Sequence, residues 1–257
     1  MTGVSTPGSK LRPSTGGAGT SPVPNDVWEN LVLTYTPWAK WPLNDPAGSV
    51  TCADHSGNGR TLSPDALVTL GVTGLIKTSA DTSSYSANTT ATNRYNFQTL
   101  VNQTWTSLTV SAEYWINPVN QAREMDLGCM GHITGTGTRL FRFYLNAAGN
   151  PIMEYRTAGP VQNTATFAAG VIDSSVHQLV FVLDGSFVNL YLDGVFKAQV
   201  AQVAALDQPI TDIAYLGQPF GGAGSRFYNG YMGPVVWYTQ ALSAADVTKL
   251  YNAATTT

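Results

Sequence analysis

Residues 177–200 read HQLVFVLDGSFVNLYLDGVFKAQV, and this stretch carries the strongest fold signal in the chain. Three apolar runs are separated by two Asp-Gly pairs, at 184–185 and 193–194. Asp-Gly between strand-like runs indicates a hairpin, because a type I′ turn needs positive φ at both central residues. The stretch therefore predicts a three-stranded antiparallel meander.

Further strands are predicted on both sides of the meander. Residues 107–116 (SLTVSAEYWI) place apolar side chains on one face, with Thr109, Ser111 and Glu113 on the other. In residues 139–146, apolar side chains alternate with Arg142 and Tyr144. Two more strands are predicted at 211–217 and 231–239. About eight to fourteen short strands with almost no helix indicate a sandwich or a barrel.

Two short helices complete the predicted elements. Residues 25–35 (NDVWENLVLTY) have Asn25 or Asp26 as a cap and are followed by Pro37. Residues 242–252 (LSAADVTKLYN) begin with a variant of the capping box, formed by Ser243 and Asp246.

The composition excludes several classes of partner. The formal net charge is −3 and the 13 basic residues are scattered, which argues against nucleic acid and against an anionic membrane surface. No apolar stretch approaches the ~18 residues of a membrane span, so membrane insertion is not expected. No secretory signal pattern is visible at the start, and synthesis in a cytoplasm is expected. The two cysteines, Cys52 and Cys129, are predicted to be buried free thiols rather than a pair.

Residues 1–26 (MTGVSTPGSKLRPSTGGAGTSPVPND) differ in composition from the rest of the chain. Gly, Pro, Ser and Thr dominate, and the few apolar residues have no period. Such a segment cannot bury enough surface to offset the entropy of ordering. It is predicted to be an extended anchoring arm that becomes ordered against neighbouring subunits in an assembly, with residues 27–257 forming the globular domain.

Four segments in this order resemble the laminin G-like branch of the concanavalin A-like lectin and glucanase superfamily. They are a Trp-x-Leu strand followed by an Asp-x-Ser-Gly-Asn-Gly turn (Trp41, Leu43, Asp54, Ser56, Gly57, Asn58, Gly59), the strand 107–118, the meander (His177, Asp184, Gly185, Tyr191, Asp193, Gly194) and the closing strand and helix 228–251. The resemblance covers roughly residues 28–252. One departure is Val176, where the family usually has Trp.

The resemblance implies an all-β fold, a two-sheet antiparallel jelly-roll sandwich with a short C-terminal helix. Members of this superfamily mostly bind glycans or proteins through loops at the rim of the sandwich, often with a calcium ion. The ligand-binding candidates in rim loops are Arg94, Tyr95, Asn96, Phe220, Arg226, Tyr228 and Asn229. Calcium is possible, with Asp54, Asn58 and Asp81 as weak candidates. The alternative for Asp54 is that it accepts backbone N–H bonds within its turn.

The superfamily also contains retaining glucanases, so catalysis must be considered. Those enzymes carry three acidic residues at i, i+2 and i+4 of one strand. Here Glu124 and Asp126 fit the first two positions, but Gly128 occupies the third. The two carboxylates are therefore interpreted as solvated residues, and no catalytic residue is predicted. His177 is expected to be a satisfied strand residue, and His55 to be exposed in its turn.

Laminin G-like modules recur in bacteriophage tail and capsid-surface proteins, where Gly- and Ser-rich arms are common. The resulting prediction is a non-enzymatic virion protein, either a minor tail protein or a capsid decoration protein. The arm would contact other virion proteins in an oligomeric assembly, and the sandwich would face host cell-surface glycan. The alternative is a free-standing lectin or adhesion module, which would normally require an export signal. A glycoside hydrolase is the least favoured reading.

Overall fold

The computed structural model describes residues 27–77, 82–86, 97–119, 122–131, 139–159, 161–218 and 226–256. Two helices occur in these ranges, α1 (Val27–Thr34) and α2 (Ala244–Thr255). The strands of the described ranges are β1 (Ala39–Trp41), β2 (Leu62–Pro64), β3 (Thr69–Thr73), β4 (Thr82–Ser86), β5 (Phe97–Thr99), β6 (Gln103–Trp105), β7 (Val110–Pro118), β8 (Met125–Met130), β9 (Phe141–Leu145), β10 (Pro151–Thr157), β11 (Val161–Thr166), β12 (His177–Leu183), β13 (Phe187–Leu192), β14 (Val195–Ala201), β15 (Ile210–Asp212), β16 (Ala214–Leu216) and β17 (Gly230–Tyr238).

Two large antiparallel sheets form the sandwich that the sequence predicts. The eight-stranded sheet has the order β14-β13-β12-β7-β17-β4-β3, with β1 also paired to β17, and the seven-stranded sheet has the order β11-β10-β9-β8-β16-β5-β2. Apolar side chains from the inner faces of both sheets make one continuous core. Within it the rings of Trp38, Trp41 and Trp237 pack together at 5.3–6.4 Å between centroids.

Both helices pack on the outer face of the eight-stranded sheet. Trp28 and Val32 of α1 and Val247 and Leu250 of α2 join a second apolar cluster there. The predicted start of α2 is confirmed, because Ser243 accepts from the backbone N–H of Asp246 in a full capping box. Among the described residues, neither helix is long and apolar enough to cross a lipid bilayer.

The helices change the surroundings of β7. The predicted alternation is confirmed for its inward face, since Val110, Ala112, Tyr114 and Ile116 lie in the core. Glu113 lies on the opposite face as expected, yet its side chain is fully buried. The covering helices, which strand alternation alone does not reveal, are the reason.

The meander of β12, β13 and β14 is confirmed, but its two turns differ. Asp193 and Gly194 both have positive φ, 54° and 73°, as a two-residue type I′ turn requires. The first connection is longer, because β12 ends at Leu183 and β13 begins at Phe187. There the side chain of Asp184 accepts hydrogen bonds from the backbone N–H groups of Ser186 and Phe187. These bonds stabilise a three-residue connection in place of the predicted two-residue turn.

Two further sequence predictions have clear outcomes. Cys52 and Cys129 are both buried free cysteines, as expected. The single strand predicted at 211–217 is instead two short strands in different sheets, because β15 pairs with β6 and β16 pairs with β8 and β5. Asp212 and Ile213 mark the point where the chain passes from one sheet to the other.

Candidate functional site

The outer face of the seven-stranded sheet carries charged side chains. They occupy the positions of its central strands that point away from the core. In one row of paired residues, Tyr215, Cys129, Arg142 and Glu154 follow one another across β16, β8, β9 and β10. Asp126 is paired with Tyr144 on the same face. With their neighbours these residues form what we call the arginine–carboxylate cluster: Glu124, Asp126, Arg139, Arg142, Glu154 and Arg226.

Arg142 lies at the centre of the cluster and is held from every side. Its guanidinium forms ion pairs with Asp126, with Glu124 at 3.0 Å and with Glu154 at 3.4 Å. It also lies over the ring of Tyr144, 3.7 Å from the ring centroid. Although burial opposes the charge, these carboxylates raise the pKa of Arg142, so it stays positive. Arg142 is thereby fixed in one geometry and holds three acidic side chains in place.

Asp126 corrects a prediction, because it is completely buried rather than solvated. Burial raises its pKa to about 6, and the charge of Arg142 opposes that shift. One carboxylate oxygen, Oδ2, has no hydrogen-bond partner among the residues that the structure describes. Asp126 thus acts as an internal support of the cluster and presents no surface to solvent.

The exposed edge of the cluster is formed by Glu124 and Arg226. Their side chains are 38% and 35% exposed, and the nearest distance from Nη1 of Arg226 to Oε2 of Glu124 is 3.6 Å. The position of Arg226 is fixed through its backbone carbonyl, which accepts from the N–H of Asp126 at 2.9 Å. Because Arg226 is anchored by its backbone and its side chain is only loosely paired, its guanidinium is able to donate two N–H hydrogen bonds to a ligand carboxylate.

Of the other predicted rim-loop residues, Tyr228 and Asn229 are described by the structure, and neither is exposed at the rim. Tyr228 is fully buried in the core, and its hydroxyl donates to the backbone carbonyl of Tyr231 at 2.8 Å. Asn229 is also buried, with its carbonyl accepting from the N–H of Val119. The expectation of exposed side chains at these two positions is therefore corrected, because this segment is already the entry to a core strand. Arg94, Tyr95, Asn96 and Phe220 lie outside the described residues.

The glucanase pattern can be tested on the geometry of β8. A register shift between Asp126 and Gly128 makes Leu127 and Gly128 both face the core, so that Cys129 takes the next outward position. A Cβ atom at Gly128 would lie 2.6 Å from the hydroxyl oxygen of Tyr114. Burial raises the pKa of the Cys129 thiol to about 12, which makes it unsuitable as a proton donor near neutral pH. The outer face of β8 therefore holds one carboxylate, Asp126, and a neutral thiol, and Glu124 directly precedes the strand.

The calcium candidates are used within the protein. Both oxygens of Asp54 accept hydrogen bonds, Oδ1 from the N–H groups of Lys40 and Ser56, and Oδ2 from Ser56 Oγ and the N–H of Arg60. The Asn58 side-chain amide donates to the carbonyls of Pro37 and Trp38. Because these groups already support the turn, Asp54 and Asn58 do not fit a calcium site.

The remaining calcium candidate and the two singled-out histidines offer no metal site either among the described residues. Asp81 is outside the described residues, and the described part of the chain contains no cluster of three or more His, Cys, Asp or Glu side chains that could hold a metal ion. His177 is satisfied on the first meander strand, as expected, and the side chain of His55 is 41% exposed in its turn.

Sequence reasoning did not select Arg139, Arg142 and Glu154. A signal for two of them was present, since polar side chains alternate with apolar ones in both strands: Arg142 and Tyr144 in FRFYL, and Glu154 and Arg156 in PIMEYRT. Such alternation in two buried strands indicates a polar outer face. What the pattern does not give is the pairing of Arg142 with Glu154 and Cys129, which depends on the register of three strands.

Comparisons with solved structures support this fold. The binding domain of Paraclostridial Mosquitocidal Protein 1 matches with a TM-score of 0.61 at 14% identity, over 86% of this chain and 52% of that one. The ligand-binding domain of botulinum neurotoxin serotype D, in complex with N-acetylneuraminic acid, matches with a TM-score of 0.60 at 10% identity, over 86% and 52%. This chain spans about half the length of these toxin domains, and at such identities the likeness concerns the fold alone.

The sequence comparisons identify the family. No curated protein sequence is significantly similar to this chain. The sequence model of the concanavalin A-like lectin/glucanases superfamily matches residues 90–248, which is more than half of the 257 residues. The matched range contains most strands of both sheets, including those that carry the arginine–carboxylate cluster. The chain belongs to the concanavalin A-like lectin/glucanases superfamily.

Proposed function

We propose that this chain is a non-catalytic carbohydrate-binding module, and that its ligand is a glycan with an acidic sugar. The observation that carries the proposal is the half-exposed edge of the arginine–carboxylate cluster, where Glu124, directly before β8, and Arg226, in the segment before β17, lie beside each other. Arg226 would bind the sugar carboxylate, and Glu124 would accept hydrogen bonds from sugar hydroxyl groups.

The cluster suits this role because its buried part is already organised. Arg142 and Asp126 hold Glu124 and Glu154 before any ligand arrives, so little ordering entropy is lost on binding. Within the cluster, three arginines balance three carboxylates, so an anionic sugar meets no net repulsion. The fold likeness to a toxin domain crystallised with N-acetylneuraminic acid makes a sialylated glycan the first ligand to test.

The absence of catalysis is part of the proposal. The outward positions of β8 hold Asp126 and Cys129, Glu124 directly precedes this strand, and Asp126 is paired with Arg142. A retaining glycosidase needs a nucleophile and a proton donor ~5–5.5 Å apart, both able to reach the substrate. Asp126 is buried, so this segment offers one accessible carboxylate.

Calorimetric titration with 3′-sialyllactose, and with lactose as its neutral counterpart, tests the proposal. We expect the intact protein to bind sialyllactose more tightly than lactose and to release no reducing sugar. Arg226→Ala should weaken sialyllactose binding about tenfold or more, and Arg226→Lys should restore only part of it, because lysine lacks the planar fork.

Lys249→Ala is the matched control. It removes one positive charge from α2, on the other side of the molecule, where the lysine side chain is 64% exposed. An equal loss of affinity in this variant would mean nonspecific attraction, and binding of neither sugar would refute the proposal.

The finer prediction is that the module is displayed on a virion, as a minor tail or capsid decoration protein. It is supported by the Gly-, Pro-, Ser- and Thr-rich composition of residues 1–26, which lie outside the described residues. The predicted partners of this arm are other virion proteins. Limited proteolysis of the isolated protein and of its native assembly would test this, since an anchoring arm is cut in the first and protected in the second.

A further inference from the structure

A second polar surface lies on the opposite side of the sandwich, on the outer face of the eight-stranded sheet. Helices α1 and α2 cover one part of this face, around Trp115, Val236 and Tyr238. At the other end a groove of about 600 Å³ is open, lined by residues 71–75, Asn117, Val176 and Tyr231. This volume falls within the range of ordinary small-ligand sites.

Two of the lining residues, Tyr231 and Asn117, belong to a row of directly paired residues that runs across three strands. Tyr231 of β17 is paired with Tyr85 of β4 on one side and with Asn117 of β7 on the other. Side chains of directly paired residues share a face of the sheet. The two tyrosine rings lie 4.6 Å apart between centroids with their planes at 43°. The row therefore offers two adjacent aromatic rings and an amide.

Within the described part of the chain, the polar side-chain groups of this row are not used in hydrogen bonds. The hydroxyls of Tyr85 and Tyr231 and the side-chain amide of Asn117 make no hydrogen bond to a residue that the structure describes. All three side chains are half-buried. Half-buried hydrogen-bonding groups that no described residue uses are available to a ligand, and they are arranged here beside an apolar ring surface.

Two strand irregularities shape the groove. The pairing of β3 with β4 shifts register between Thr69 and Val72, where Gly71 has a φ of 74°. The pairing of β17 with β7 shifts between Met232 and Val235, directly after Tyr231. Such bulges bend a strand and redirect its side chains, and they are frequent next to binding sites. Both bulges lie at the same end of the sheet, beside the aromatic row.

We propose that this groove, the tyrosine groove, is a second carbohydrate site and that it takes a neutral saccharide. None of its lining residues is charged, which disfavours an ionic ligand. Aromatic ring faces pack against the C–H face of a sugar ring, and the amide and phenol groups match its hydroxyls. This site is independent of the arginine–carboxylate cluster, because the two lie on the outer faces of different sheets.

Two-dimensional ¹H–¹⁵N NMR titration of the full chain tests the proposal, with lactose, maltose, cellobiose and N,N′-diacetylchitobiose as probes at millimolar concentration. We expect at least one disaccharide to shift the resonances of Asn117 and Tyr231 and their neighbours in the groove. Tyr231→Ala should weaken this binding about tenfold, because it removes the stacking surface. Asn117→Ala, which leaves the ring pair intact, should weaken it as well.

Two controls make the outcome decisive. Tyr231→Phe keeps the ring and should retain most of the affinity, which separates loss of stacking from loss of folding. Arg226→Ala should leave the neutral disaccharide unaffected. The proposal is overturned if none of the four sugars shifts groove resonances, or if their shifts lie on the seven-stranded sheet and disappear in Arg226→Ala. Failure of sialyllactose binding alone leaves this site standing.

Discussion

Glu113 accepts side-chain hydrogen bonds from four residues in the layer between the eight-stranded sheet and the helices. Its Oε1 accepts from Trp28, Trp115 and Gln178 at 2.9–3.2 Å, and its Oε2 accepts from the hydroxyl of Tyr238 at 3.3 Å. Burial raises the pKa of Glu113 above its ordinary value of 4.5, although the four donors oppose that shift. The carboxylate ties α1 and β12 to β7, at the cost of an ionisable group in an apolar layer.

A pH-dependent stability follows from that pKa. The folded protein keeps a proton on Glu113 at pH values where the unfolded chain has lost it, so this group's contribution to stability falls as pH rises from the ordinary pKa through the raised one. Glu113→Gln cannot titrate and retains the Oε1 acceptor. We therefore expect the stability of the wild type relative to Glu113→Gln, measured by urea unfolding at several pH values, to decrease across this window.

Glu113→Ala separates the hydrogen bonds from the charge. It leaves four donors without an acceptor, and each unsatisfied buried group costs about 1–3 kcal/mol. This variant should be strongly destabilised at every pH, whereas Glu113→Gln should be close to the wild type at low pH. A difference between wild type and Glu113→Gln that stays constant with pH would show that Glu113 does not titrate in the expected window.

At the scale of elements, His177 at the start of β12 connects the meander to the loop that precedes it. The His177 ring bonds to Asp193 in the β13–β14 turn at 2.9 Å and to Asp173 in the preceding loop at 3.0 Å. The hydrogen bond to Asp193 is the largest cause of the raised pKa of His177. Asp173 is 54% exposed, so solvent screens its part of the interaction.

The raised pKa of His177 determines how its contribution to stability changes with pH. The charged imidazolium is favoured in the folded state, so its stabilising effect is fully present below the ordinary pKa of 6.5 and is lost as pH rises through the raised value. We expect His177→Gln to be less stable than the wild type at low pH, with the gap closing at high pH in chemical unfolding curves. Asp193→Asn tests the partner, since asparagine tolerates the φ of 54°, removes the charge and keeps one of the two acceptor oxygens that bond Gln178 and His177.

If Asp193→Asn leaves the pH dependence of stability unchanged, the carboxylate of Asp193 does not cause the pKa shift of His177.

The same segment shows what the sequence can predict at the scale of elements. Asp-Gly pairs and apolar alternation gave the three strands, because both signals are local. The first turn departed from the prediction because Asp184 bonds two backbone N–H groups of its own loop, a competition that residue types alone do not resolve.

For the whole molecule, the limit of sequence reasoning is the pairing of strands that are distant in the chain. The two-sheet fold and the closing helix could be predicted, whereas the seven-stranded order places β16 between β8 and β5, with several other strands separating these three in the sequence. The arginine–carboxylate cluster depends on that order, since Arg226 approaches Glu124 only through the segment before β17. The burial of Glu113 likewise depends on the tertiary structure, because it requires the two helices to pack on the outer face of the eight-stranded sheet.

Gly128 lies directly against side chains of the opposite sheet, and it makes this dependence testable. A Cβ atom there would lie 2.6 Å from Tyr114 Oη and 2.9 Å from Trp237 Cζ2, two side chains of the opposite sheet that are joined by a hydrogen bond of 3.0 Å. Gly128→Ala must separate the sheets or break that bond, and we expect a loss of about 1–3 kcal/mol in the free energy of unfolding. Gly170→Ala, whose Cβ would have its nearest atom at 4.0 Å, should change stability by less than about 0.5 kcal/mol.

Tyr114→Phe removes the nearest atom, so the double variant with Gly128→Ala should cost less than the sum of the two single changes. Strict additivity would mean that contact between the sheets does not restrict residue 128. If the two substitutions are coupled, residue 128, which is the third position of the glucanase pattern, lies where the sandwich has no room for a side chain. A carboxylate introduced at 128 would then face the core, away from Glu124, and would unfold the domain before it could act on a sugar.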